Sequence, residues 1–223
     1  MAQYQSVVFD LDGVITDTAH YHFLAWRNLA NKLGIAFDEA FNEELKGISR
    51  MESLEKILVK GGVADQYTAE EKAVLADQKN VEYVALLVDM SPSDIFPGIE
   101  TLLTELRAQG TKIALASASK NAPMILDALG ITALFDYVVD PDEVPNGKPA
   151  PDIFVRGAEA VGADPKMSIG VEDAVAGIRG VLDAGMFAVG VGTPEQMEQA
   201  GAHLVVEDTT DLTVALLNAK YQK

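Results

Sequence analysis

The sequence predicts an α/β protein: a doubly wound, Rossmann-like parallel sheet carrying an inserted α-helical bundle cap. Short runs rich in Val, Ile and Ala recur along the chain without polar alternation, as strands buried on both faces require. Helix-length segments separate most of these runs, and strands that alternate with helices make a parallel sheet. One long interval, residues 18–91, breaks the rhythm and holds no convincing strand.

Ser6–Leu11 is the first expected strand, followed by Lys112–Ala116, Tyr137–Val139, Met167–Val171, Phe187–Val191 and His203–Val206. Ligands of such a sheet belong at the carboxyl ends of its strands. Within the interval, Phe23, Trp26, Leu29, Ala30 and Leu33 recur at helical spacing, as do Leu54, Ile57 and Leu58. The simplest reading of that stripe is the core of a small helical bundle. Thr68 and Glu71 in "TAEE" match a capping box, opening a third helix that runs through Val74, Val81, Val84 and Leu87. "MSPSDIFPG", residues 90–98, returns the chain to the sheet with two prolines that disfavour helix. The expected division is 1–17 and 92–223 for the α/β core, and 18–91 for the cap.

Composition narrows the function. The chain has 223 residues, 48% of them hydrophobic, enough for a packed interior. Its formal net charge of −17, with no Lys/Arg-rich block, repels a phosphate backbone and argues against nucleic acid as a partner. With no cysteine, disulfides, thiolate nucleophiles and Cys-ligated zinc are excluded, so any metal must use O or N ligands. "MAQYQSVVFDLD" lacks the basic start and long apolar stretch of a leader, and no run approaches a membrane span. No membrane partner and a cytoplasmic location are the expectation.

Acids then appear where strands should end. Asp10 and Asp12 flank Leu11, so their side chains leave the first strand on one face, and Gly13 permits a sharp turn. An Asx-type turn with solvated acids is the alternative. Glu172 and Asp173 close the later run "MSIGVED", and in a parallel sheet all these ends share one rim. Like charges so placed call for a cation or a proton, and an oxygen-rich cluster without Cys or His suits Mg2+. A calcium loop does not fit, because Val14, Ile15 and Tyr21 fall at its required positions. On the same rim, "SASKN" offers the hydroxyls of Ser117 and Ser119 just before a helix with Pro123 in its first turn, a place for a phosphate or merely for a helix cap. Lys148 lies in the loop "NGKPAPD", where a lysine is either solvated or turned towards the rim.

In order along the chain, "DLDGVITD", "LASAS", Lys148 in "GKPAPD" and "GVED" resemble the four motifs of the haloacid-dehalogenase-like superfamily. The resemblance covers the whole chain, including a helical cap after the first motif. It implies that Asp10 is a nucleophile forming an aspartyl phosphate and Asp12 the general acid and base. One Mg2+ per active site would be held by Asp10, Asp173, the backbone carbonyl of Asp12 and Glu172, directly or through water. Ser117, Lys148 and the amide of Ala118 would bind the transferring oxygens. Phosphate monoesters react extremely slowly unaided, and a carboxylate attacking an anionic phosphoryl group needs dense positive compensation. Asp12 argues against dehalogenation, since halide leaves without a proton and a sugar alkoxide does not.

The segments "HYHFLAW" and "LKGISRMESL" resemble the cap of the β-phosphoglucomutase family within that superfamily. By this resemblance Thr18, His22 and Trp26 approach the site from the first cap helix, with His22 bonding Asp12. Lys46, Gly47, Ser49, Arg50 and Ser53 form a cap loop and helix start, and Arg50 grips the non-reacting phosphate with Ser119, Lys120 and Asn121. Lys79 resembles a cap lysine near the sugar, against the alternative of a solvated helix face. Asp17 reads as a hinge residue closing hydrogen bonds at the root of the cap, and Lys148–Pro149 as a cis peptide. Ala174 departs from the pattern, standing where a serine is common. The implied activity interconverts β-glucose 1-phosphate and glucose 6-phosphate through β-glucose 1,6-bisphosphate, in a monomer acting on small hexose phosphates. A sugar-phosphate phosphatase of the same fold is the rival, and a non-catalytic metal or phosphometabolite module the more distant one.

Overall fold

The computed structural model describes residues 4–221, so the outermost residues of the expected core boundaries lie outside it. Along the chain come β1 (Ser6–Phe9), α1 (Ala19–Lys32), α2 (Glu39–Glu43), α3 (Arg50–Lys60), α4 (Ala69–Leu86), α5 (Ile99–Ala108), β2 (Lys112–Leu115), α6 (Ala122–Leu129) and β3 (Tyr137–Val138). Then follow α7 (Asp152–Ala160), β4 (Ser168–Glu172), α8 (Val175–Asp183), β5 (Phe187–Val191), α9 (Pro194–Ala200), β6 (Leu204–Val206) and α10 (Val214–Lys220). The six strands pair in the order β3-β2-β1-β4-β5-β6, every pair parallel. The fold is therefore the doubly wound α/β arrangement expected from the apolar runs. Its order reverses beside β1, the crevice where ligands of such sheets sit.

Both faces of the sheet are covered. Val7 and Phe9 point into one apolar layer with Leu103, Leu115 and Val171, and Val8 into the other with Ala114, Phe154 and Ile178. Register places Phe9 beside Leu115 on one side and Val171 on the other. Asp10, the segment after Leu115 and Glu172 consequently reach the same rim.

The helices between β1 and α5 hold a third apolar cluster, built on Trp26, Leu29, Leu54, Ile57 and Leu58. Capping boxes at Ser49–Glu52 and Thr68–Glu71 start α3 and α4. Ala25, Tyr83 and Leu87 instead pack into the sheet layer with Val14 and Ile15, tying the foot of the helices to the core. Where the chain leaves and re-enters the core, two short segments run antiparallel: Thr16 bridges Ile95, and the Phe96 amide donates to the Ile15 carbonyl at 2.9 Å.

Three expectations need correction. The short helix α2 has no buried residue, so it left no apolar period to read. On α4, Val74 and Val81 are exposed, and the buried face is Ala76, Lys79 and Tyr83, because a lysine and a tyrosine turn inward there. At the hinge it is the Thr16 hydroxyl that donates, to the Asp94 carbonyl at 2.6 Å, whereas Asp17 is exposed and accepts no hydrogen bond among the described residues. The Lys148–Pro149 peptide is cis.

Candidate active site

A cavity of about 410 Å³ lies between the sheet rim and the cap helices. Asp10, at the end of β1, sits on its floor, almost wholly buried. Gly13 (φ 77°) turns the chain directly afterwards, and a Cβ there would fall 2.2 Å from Asp173 Oδ2, so only glycine lets the two acidic loops touch.

Beneath this floor Lys148 is fully enclosed, its Nζ donating at 2.6 Å both to Asp10 Oδ1 and to Glu172 Oε1. Glu172 Oε2 accepts the Ala174 amide at 2.8 Å, so both Glu172 oxygens are engaged. Burial alone would lower the Lys148 ammonium, but the charges of Asp10 and Glu172 outweigh it and hold it above the ordinary lysine range.

The carboxyls move the other way. Burial pushes Asp10 up to about 8, against the pull of Lys148 and with the help of Glu172 and Asp12. Asp173 rises well above the usual range through burial and the charges of Glu172 and Asp10. Oxygens of Asp10, Glu172 and Asp173 lie within 4.8 Å of one another. Upward shifts on clustered acids mark a site short of positive charge, and an all-oxygen donor set of this kind fits a hard divalent cation. Since Glu172 is already held by Lys148 and Ala174, Asp10 and Asp173 are the carboxylates best placed to face the ion.

Asp12 lines the same cavity, and its Oδ1 is buried without a hydrogen-bond partner. Burial raises its carboxyl to about 6, although Lys148 and Lys79 pull it down. An acid free to move a proton, aimed into a cavity beside Asp10, has the placement of a general acid and base.

The cap supplies the roof. Lys79 is 2% exposed, with its ammonium 4.7 Å from the Trp26 ring centroid and 4.5 Å from that of Tyr83. Its Nζ approaches His22 Nδ1 at 2.7 Å, so His22 is occupied by Lys79 rather than by Asp12 as expected. Burial, then the charges of Lys79 and Arg50, keep His22 far below its ordinary value, hence neutral and accepting. Gly47 (φ 75°) rests against the core: a Cβ there would lie 3.3 Å from that of Ala174 and 3.9 Å from Lys148 Cδ. Asn121 Nδ2 donates to Asn80 Oδ1 at 2.8 Å across the same gap, so the cap is closed over the floor.

Two further cations line the same cavity. Arg50 and Lys120 line it with Ser49, Ser119 and Asn121. Burial lowers the Arg50 guanidinium somewhat, offset by Asp77, whose carboxylate is 3.8 Å away. Ser117 and Ser119 use their hydroxyls as turn acceptors, from the Ser119 amide at 3.1 Å and the Asn121 amide at 3.2 Å, which shapes the loop before α6.

Most residues expected from sequence meet here: Asp10, Asp12, His22, Trp26, Lys46, Gly47, Ser49, Arg50, Ser53, Lys79, Ala118, Ser119, Lys120, Asn121 and Asp173 line the cavity. Thr18, Ser117, Lys148 and Glu172 lie buried just behind it. Trp26 belongs both to the cap core and to the cavity wall. Tyr83, Asp77 and Asp142 were not foreseen. Tyr83 stacks on His22 with centroids 4.0 Å apart, and its position four residues after Lys79 on one helix was the available signal.

Comparison with known proteins agrees with this geometry. The chain is 49% identical to a β-phosphoglucomutase from Bacillus subtilis over 98% of its own length and 96% of the relative. It is 31% identical to one from Mycobacterium bovis, covering 93% and 91%. The crystal structure of a β-phosphoglucomutase from Clostridium difficile superposes with a TM-score of 0.95 at 47% identity, covering 98% of this chain and 97% of that one. Residues 4–185 match the haloacid dehalogenase-like hydrolase family, and the chain belongs to it.

Proposed function

We propose that the chain interconverts β-D-glucose 1-phosphate and D-glucose 6-phosphate by way of β-glucose 1,6-bisphosphate, a reading supported by its likeness to a B. subtilis relative named β-phosphoglucomutase. One observation carries the reading beyond a phosphatase. The cavity that holds Asp10 and Asp12 is also lined by two further cations, Arg50 from α3 and Lys120 from the loop before α6. A mutase must hold the phosphate that is not reacting, and a simple phosphatase has no need of that second anion site.

In this reading Asp10 attacks the phosphorus of a sugar phosphate through the oxygen not bonded to Lys148. The bond from phosphorus to the sugar oxygen breaks, and Asp12 delivers a proton to that oxygen. In the second half-reaction Asp12 withdraws a proton from the acceptor hydroxyl as the phosphoryl group leaves Asp10. Lys148 draws Asp10 towards its anion against the effect of burial and, with Ser117 and the Ala118 amide, would turn to the transferring oxygens. Asp10 and Asp173, with the Asp12 carbonyl and Glu172 behind, would hold Mg2+, which supplies charge compensation for the transferring group. Lys79 and His22 would meet the sugar from above, and residues 18–91 would open and close as one cap, excluding water when shut.

β-Glucose 1-phosphate with Mg2+ and a catalytic amount of the bisphosphate is the decisive assay. Glucose 6-phosphate is expected to accumulate well ahead of free phosphate, and Arg50→Ala to lose this isomerisation. Predominant release of inorganic phosphate would replace the mutase with a sugar-phosphate phosphatase. No helix among the described residues is long and apolar enough to cross a membrane.

A further inference from the structure

Arg50 and Lys120, the two cations assigned to the second phosphate, each already have an acid of their own. Lys120 is ion-paired to Asp142, which projects from the loop after β3, and Arg50 faces Asp77 on α4 at 3.8 Å. Asp142 and Asp77 are 66% and 81% exposed at the side chain, yet both line the cavity mouth. Lys120 is the only hydrogen-bond partner of the Asp142 carboxylate among the described residues, so this acid does nothing else for the fold.

We propose that Asp142, seconded by Asp77, is a positioning residue that serves as a resident counter-anion of the second phosphate subsite. With the subsite empty, Asp142 pairs with Lys120. An arriving phosphate must displace it, and it reclaims Lys120 as the phosphate leaves. Its effect is to keep that subsite weak. The inference rests on the mutase reading for its use: a bisphosphate must let go at this end and turn round between half-reactions. Tighter holding of both ends would add uniform binding and slow that exchange.

The test is titration of inorganic phosphate into Mg2+-free protein at low salt, following the Asn121 side-chain amide by NMR so that only this subsite is read. An exposed ion pair is worth little, so Asp142→Asn is expected to bind phosphate about two- to fivefold more tightly. The gain should shrink in a Lys120→Met background and at high salt, and in turnover KM and kcat should fall together. Unchanged or weaker phosphate binding in Asp142→Asn would overturn the proposal, as would an equal gain without Lys120. Failure of the mutase reading is distinguishable, because it shows in the products of turnover and leaves this titration unaffected.

Discussion

The ammonium of Lys79 and Nδ1 of His22 stand 2.7 Å apart inside the cap, two bases sharing one proton under the ring of Tyr83. Lys79 keeps that proton poorly: burial and the nearby Arg50 bring it down to about 7, despite the pull of Asp12. Between about pH 7 and the ordinary lysine value the unfolded chain binds a proton that the folded one does not. Stability should therefore rise with pH across that window. Lys79→Met removes this rise. Its stability relative to the wild type should be most favourable near pH 6, by of order 1–4 kcal/mol, and decline towards pH 10. Urea midpoints at the two pH values check it, and a difference independent of pH would show that Lys79 is not the buried base described.

Lys148 is the opposite case, a buried cation bracketed by two carboxylates. Lys148→Met leaves Asp10 and Glu172 buried side by side, at a cost of about 3–5 kcal/mol. Without Lys148, Asp10 keeps its proton in the folded state more readily still than in the unfolded one, so the variant should lose stability as pH rises. Denaturation in EDTA should show a smaller deficit at pH 5.5 than at pH 8. An equal deficit at both would rule out uncompensated carboxylates as its cause.

Asp12 has a sharper signature in kinetics. Asp12→Asn should slow transfer from a sugar phosphate by about 10²–10⁴, the usual worth of a general acid. A nitrophenyl phosphate, whose leaving group needs no proton, should still phosphorylate Asp10 and give a burst of nitrophenolate of one equivalent per site. Loss of that burst would mean that Asp12 does more than move a proton.

The strands and the acidic rim were legible because each rests on a local pattern. Val7, Val8 and Phe9 are buried on both faces of β1 and read as an uninterrupted apolar run. Asp10 and Asp12 interrupt a core strand, which is chemically conspicuous. Lys79 was less legible: on helical periodicity alone a lysine belongs to the solvent face, and the exposed Val74 and Val81 pointed to the wrong side of α4. Asp142 left no mark at all, since an acid in a loop has no period and its pairing with Lys120 spans two strand ends. The Asn80–Asn121 bond and the contact of Gly47 with Ala174 join cap to core, and such meetings depend on how the two close, which no local pattern encodes.

The antiparallel crossing at Thr16 and Ile95 bears on how the chain finds its shape. Strand β1 must pair Ser6 with Lys112 and with Ser168, contacts that are remote along the chain and slow to search for. Once the cap helices have folded around Trp26, Leu54 and Ile57, Thr16 and Ile95 lie side by side, and the long intervening segment behaves as a short tether. Shortening a loop of that length by two doublings lowers its closure cost by about 1 kcal/mol, enough for several-fold in rate. The cap is thus expected to assemble first and to hasten the sheet. Pulsed hydrogen exchange during refolding should find amides of α1, α3 and α4 protected ahead of those in β1, and the reverse order would refute it.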